Sequence, residues 1–327
     1  MLLKILKSNK AYNLILFPFM GILLWASDLI SPGTYNFSPG EDQTVLFEPV
    51  LNLTRENPLI QVLIALVLVI ILGFLLQKIN SQYSFYNVRT ILPSYLLILL
   101  AGGVSSLHNL HPVYFAAAFF ALAIDRSFGA FEKKTISSNS FDTGFILGIG
   151  SLFYANLILL FPAFIIGLRI INPEYNWRNL SLSLLGLLLP WIFAFSYFFV
   201  NDNTSQLFHI LLLNVGTKNN LLDENLSLQI YSGFWMFILF VSSLVMLRNF
   251  DREKISTRRY FGVFIILWLS LAGIFYFVPF ASIEVLVLLA VPSSFIIANL
   301  LLSIKSKFWG NFILIIIAAM VIYMQFV

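Results

Sequence analysis

Along most of this chain the apolar positions do not alternate with polar ones; they run on without a break. Leu59 to Leu76 and Phe312 to Val327 are two such runs. Crossing a hydrocarbon core of ~30 Å as a helix takes ~20 apolar residues. Continuous apolar runs predict helices, and their lack of a two-residue alternation excludes a transmembrane β-barrel. The pattern predicts spans at 11–30, 58–77, 90–106, 111–125, 143–154, 156–171, 179–200, 229–247, 260–278, 281–303 and 310–326. The expected fold is therefore all-α: a polytopic transmembrane helical bundle, with residues 1–327 forming a single integral membrane domain.

Thr143 to Ile171 reads either as one long span or as a short hairpin, and charge decides between them. Lys and Arg favour the cytoplasmic side of a membrane. With a hairpin, all nineteen Lys and Arg except Arg55 and Lys218 fall on one side. With a single span, everything after it flips and the split becomes nearly even. The hairpin is therefore expected, as are a cytoplasmic N-terminus and a periplasmic C-terminus in a bacterial inner membrane. Met1 to Lys10 is basic, but the apolar run after it lacks a small-residue cleavage site, so 11–30 reads as a retained first span. A tight outward turn, His108 to Pro112, and two outward loops follow from this threading. One is acidic, at 31–57, and the other, at 201–230, carries an apolar stretch, Leu207 to Leu213, too short to cross and expected to lie along the interface.

Composition agrees. The chain is 59% hydrophobic and 10% charged, against ~25% charged residues in a soluble domain. The net charge of +4 lies in short inter-helix loops, as membrane topology requires, and gives no reason to expect nucleic acid as a partner. There is no cysteine, which removes disulfides, thiolate metal sites and cysteine nucleophiles. Lipid-facing packing accounts for the 34 phenylalanines.

Candidate chemistry gathers on the outward side. Asp28 lies at the end of the first span beside Trp25, where it is either a site residue or an interfacial residue beside an aromatic belt. Glu41-Asp42 follows Ser38-Pro39-Gly40, a turn expected to feed a helix from Asp42 to Leu53. The pair reads as helix capping or as a general base or hard-oxygen metal ligand. Glu284 is expected one turn into the tenth span, where an ionisable group is either functional or in a solvated or capping role. His108 and His111 have HxxH spacing but sit in a turn with no third ligand nearby, so they do not read as zinc ligands. Gly144, Gly148 and Gly150 read as close helix packing rather than phosphate binding. Arg258-Arg259 could touch anionic lipid heads. No GxSxG elbow, P-loop or HExxH is present.

The stretch DTGFILGIGSLFYANLILLFPAFIIGLRI from Asp142, then WRNLSLSLLGLLLPWIFAF from Trp177 and HPVYFAAAFFALAIDRSF from His111, resembles the core of the GT-C superfamily of membrane glycosyltransferases. These take sugars from polyprenyl-phosphate donors. The resemblance covers roughly residues 11–200 and rests on hydrophobic spacing. It implies a lipid-linked sugar donor and a role in envelope glycan assembly. It also implies that Glu41 or Asp42, with Asp28 as a further candidate, is catalytic, and that Arg55, His108, His111 and Glu284 are available to bind substrate. The chain departs from the pattern in its Glu-Asp order, in lacking a periplasmic domain and in having only Arg55 and Lys218 as outward cations. A bound divalent cation is an alternative source of that charge. As a whole the chain also resembles small bacterial inner-membrane proteins of no assigned activity. A non-catalytic subunit with protein partners in the membrane is therefore the alternative function, and a transporter the third.

Overall fold

The computed structural model describes residues 11–37, 40–216, 226–279, 281 and 283–326. Met1 to Lys10 and Ser38-Pro39 lie outside the described residues, as do Lys218, Asp223 and Glu224. Among the described residues the chain is helical, with no strands.

The helices are α1 (Ala11–Leu24), α2 (Ala26–Ile30), α3 (Glu48–Thr54), α4 (Pro58–Tyr83), α5 (Leu92–Ala101), α6 (Pro112–Phe128) and α7 (Ser137–Phe153). After these come α8 (Phe161–Ile171), α9 (Trp177–Val200), α10 (Thr204–Gly216), α11 (Leu226–Arg248), α12 (Ile255–Phe277), α13 (Val285–Ser303) and α14 (Lys307–Met324). Short 3-10 turns at Ser105–His108 and Ala155–Leu160 prove to matter for the site. Among the described residues five helices, α4, α9, α11, α12 and α13, are long and apolar enough to cross a membrane. These helices mark the chain as a membrane protein, and α9 leaves Phe193 and Phe199 exposed.

Several boundaries differ from the sequence pattern. The first predicted span breaks at Trp25 into α1 and α2. The run 90–106 yields only the ten residues of α5, because Gly102-Gly103 ends it and a 3-10 turn follows. The helix expected from Asp42 to Leu53 forms only at Glu48, with Pro49 in its first turn; proline fits there because its missing N–H has no helical partner anyway. Glu284 lies just before α13 rather than a turn inside it.

Contacts at the helix ends sort the loops into two groups. At one end, Lys78 Nζ meets Asp125 Oδ2 at 3.2 Å, Asn172 donates to the Ala130 and Lys133 carbonyls, and Arg259 donates to Ile171 O while lying over the Phe131 ring. Tyr86, in the loop after α4, donates to Phe295 O at 2.8 Å. Burial raises its phenol well above the usual tyrosine range, so it stays a neutral donor. We call this the basic end. At the opposite, acidic end lie Asp28, Glu41 and Glu284, and Gln325 after α14 reaches back to Gly102 O.

The disputed segment turns at Tyr154 as a hairpin. Its first arm, α7, ends at the acidic end, where Leu46 N–H donates to Leu152 O at 3.2 Å. Its second arm returns to the basic end at Asn172. The first arm begins at Ser137, six positions before the expected start at 143.

α7 packs most closely on α9. A Cβ placed on Gly144 would lie 2.0 Å from Ser183 O, and one on Gly186 would lie 2.3 Å from Phe141 O. Two backbones at this distance leave no room for side chains between them, which is the packing small residues allow in lipid. At the basic end, Phe85 packs its ring against Phe128, Phe264 and Phe295, all buried. Lipid contact therefore explains only part of the phenylalanine content; the rest builds this aromatic core.

Candidate functional site

The turn between α5 and α6 carries His108 and His111, and the fold brings a carboxylate to each. Helix α6 starts at Pro112, with His111 as its cap: Val113 N–H donates to His111 Nδ1 at 3.2 Å. The proton of a neutral ring must then sit on Nε2. That nitrogen is buried without a hydrogen-bond partner and lies 3.9 Å from Glu41 Oε2. The ring is held by Phe37, stacked at 5.9 Å, and by the edge of Tyr35 at 5.3 Å.

His108 is fixed more tightly. Its Nδ1 lies 2.6 Å from Asp28 Oδ2 and its Nε2 lies 3.2 Å from Gly102 O. Each ring nitrogen thus faces an oxygen. The Trp25 indole stacks on the ring at 4.1 Å and donates its N–H to His108 O at 3.1 Å. Trp25 is fully buried, so it is not an aromatic-belt residue, and Asp28 is one half of a partly buried pair rather than a solvated helix end.

Glu284 joins from the other side. It is fully buried and accepts from the Tyr154 hydroxyl at 2.8 Å, which excludes the solvated reading. Asn156 donates to the same hydroxyl at 3.0 Å. The Tyr154 ring lies 6.4 Å from that of His111. Tyr154 sits there because the chain leaves α7 in an extended conformation before the 3-10 turn. Glu41, His111, Tyr154 and Glu284 thus lie in one buried cluster, assembled from the first loop, the α5–α6 turn, the hairpin tip and the start of α13.

Asp42 and Arg55 stay outside it. They face each other at 3.9 Å, with the Arg55 side chain 67% exposed. A pair so exposed contributes ~0–1 kcal/mol. The adjacent acids Glu41 and Asp42 therefore have different settings: the first is buried and the second half-buried. Among the described residues no group of three or more His, Asp or Glu is placed to hold a metal ion.

Beside the acidic loop runs an apolar groove of about 470 Å³. Val45 and Leu46 wall it from the loop, Phe145 and Ile149 from α7, and Pro190 and Phe193 from α9. The loop is stapled there by Thr44, whose hydroxyl donates to Phe153 O at 2.7 Å.

Sequence reasoning placed Asp28, Glu41, His108, His111 and Glu284 at one end but missed Tyr154, the residue that links the last of them to the rest. The signal was its neighbour Asn156, a polar residue in an otherwise apolar run. No family model matches this chain, and no curated protein or solved structure is significantly similar to it.

Proposed function

We propose that this chain is a GT-C-like integral membrane glycosyltransferase of a bacterial inner membrane. In this reading it crosses the bilayer about eleven times, with the N-terminus cytoplasmic and the C-terminus periplasmic. It moves a sugar from a polyprenyl-phosphate donor to an acceptor in envelope glycan assembly. The observation that carries the reading is the setting of Glu41. Its carboxylate is buried 3.9 Å from the unsatisfied His111 N–H, and the residues just after it wall an apolar groove on the outside of the bundle. The groove is suited to the polyprenyl chain. Glu41 takes the proton from the acceptor hydroxyl as that oxygen bonds to the anomeric carbon. The sugar–phosphate C–O bond breaks, and polyprenyl phosphate leaves with the electron pair. The His111 N–H is available to orient the hydroxyl.

A general base contributes ~10²–10⁴-fold to rate. The test is turnover of synthetic polyprenyl-phosphate hexoses by the reconstituted chain, read as release of polyprenyl phosphate. Glu41→Gln is expected to lose at least about a hundredfold, while Asp42→Asn keeps most of the activity. Equal rates for Glu41→Gln and the unchanged chain would sink the assignment.

One observation favours a second reading, a non-catalytic subunit of an envelope complex. Transfer leaves a phosphate anion, which fixed donors or cations must stabilise, and Arg55 points mostly to solvent. Consumption of no donor in the panel, together with a constant protein partner in mild-detergent purification, is the outcome expected of a subunit.

A further inference from the structure

The basic end contains a second polar cavity, which the reading above does not use. It has a volume of about 280 Å³ and lies where α11 ends, α12 begins and α13 ends, with the loop after α4 as its fourth wall. Arg252 and Arg258 line it, together with the carboxamides of Asn87, Asn249 and Asn299. Glu253 is the one acid in the lining. Among the described residues, neither guanidinium has an ion pair or a side-chain hydrogen bond, although Arg259, next in sequence, is committed to Ile171 O. The floor is aromatic, from Phe85 and Phe261.

We propose that this cavity binds a phosphate-bearing anion. The tendency of cytoplasmic loops to be basic explains why arginines occur here. It does not explain why two of them share a cavity with three carboxamides that, among the described residues, make no side-chain hydrogen bond, each a further pair of N–H donors. The start of α12 adds a second argument. It has no side-chain cap and no acidic residue in its first turn, and in the sequence around it Arg252, Lys254, Arg258 and Arg259 outnumber Asp251 and Glu253. Cations at the positive end of a helix dipole repel it, and its first amides lack helical partners. An anion in the cavity, which Arg252 and Arg258 line from either side of the helix start, offsets the excess positive charge. Guanidinium forks suit phosphate oxygens, and the carboxamides supply neutral donors for the oxygens the arginines do not reach.

Size narrows the ligand. Pockets that enclose a drug-sized molecule run to ~300–1,000 Å³, so this one suits a headgroup-sized anion. Two sources share that chemistry: an anionic phospholipid whose head enters at the helix ends, and a free phosphate compound from the aqueous side. The inference does not depend on the transferase reading, and its test involves no sugar transfer.

The full chain is reconstituted in nanodiscs of phosphatidylcholine, with phosphatidylglycerol added in one arm and inorganic pyrophosphate in the other. Retained lipid is read by native mass spectrometry, and pyrophosphate binding by the shift in Tm. Binding is expected in at least one arm: retained phosphatidylglycerol identifies the headgroup source, and a Tm shift with pyrophosphate identifies the soluble one. Arg252→Gln with Arg258→Gln is expected to weaken the active arm at least about tenfold, since hydrogen bonds to charged groups are the stronger class. Asn299→Asp keeps the cavity's shape while adding a negative charge, and is expected to do the same; it covers the case in which the double variant does not fold. Lys134→Gln removes one positive charge from another loop of the same end and is expected to change nothing. Binding in neither arm overturns the proposal. So does a loss with Lys134→Gln as large as that with the arginine variants, which would mean a generally basic surface and no site.

Discussion

At the residue scale, the acidic end is a set of pairings made across long stretches of sequence. Asp28 and His108 are 80 positions apart, and Tyr154 and Glu284 are 130 apart. The sequence marks the individual members, because ionisable residues in an apolar chain stand out. It does not mark the partners, since hydrophobic spacing says nothing about which helix ends meet. Tyr154 was invisible for a further reason: in an apolar run a tyrosine looks like one more aromatic until its hydroxyl is seen facing a carboxylate. The pairing can be weighed by mutation. Tyr154→Phe removes the donor to Glu284, a hydrogen bond with a net worth of ~0.5–1.5 kcal/mol. Glu284→Ala removes the acceptor at similar cost, and the double variant is expected to lose clearly less than the sum. Thermal unfolding of the four proteins in detergent measures this, and strict additivity would mean the two groups do not interact. Glu284→Gln, which keeps an acceptor oxygen, is expected to lose less than Glu284→Ala.

At the scale of elements, the α7–α9 contact shows what sequence pattern supplies and where it stops. Gly144 and Gly148, four positions apart, announced a close helix crossing, and the crossing is there. The partner was not announced. Gly186 on α9 completes the contact from the other side, and only the fold shows that its missing side chain faces Phe141 O. The short α5 illustrates the opposite failure. Seventeen residues of apolar pattern, 90–106, gave a span, yet Gly102-Gly103 turns the chain so that His108 can reach Asp28. Hydrophobicity is indifferent to such a bend, so the pattern overruns it. The glycines also make a graded prediction. Gly144→Ala and Gly186→Ala push a methyl into backbone carbonyls that cannot rotate away, and each is expected to lower Tm. Gly233→Ala in α11 meets nothing within 4 Å, and there alanine is expected to be neutral or to stabilise by ~0.5–1 kcal/mol through reduced chain entropy. If all three variants behaved alike, the close crossing would not be what holds α7 to α9.

At the scale of the whole molecule, the segregation of charge fixes a direction that can be measured. The basic loops meet at one end of the bundle, joined by contacts such as Asn172 with Lys133 and Arg259 with Ile171. The acidic loop meets the other end. Translocating Lys and Arg across an energised membrane is disfavoured, so the basic end should stay cytoplasmic. The chain has no cysteine of its own, and each introduced cysteine therefore reports on one position without background. Leu53 is 87% exposed at the acidic end, Asp202 is exposed just after α9, and Lys134 and Lys305 are exposed on basic-end loops. In intact spheroplasts a membrane-impermeant maleimide is expected to label Leu53→Cys and Asp202→Cys. Lys134→Cys and Lys305→Cys should label only after the membrane is opened. Asp202 and Lys134 bracket the hairpin, so this pair also tests the turn at Tyr154: one continuous span through 143–171 would place Asp202 and Lys134 on the same side. The reverse labelling pattern would put the basic cavity outside and the Glu41 site inside, where a donor carried on the outer leaflet could not reach it.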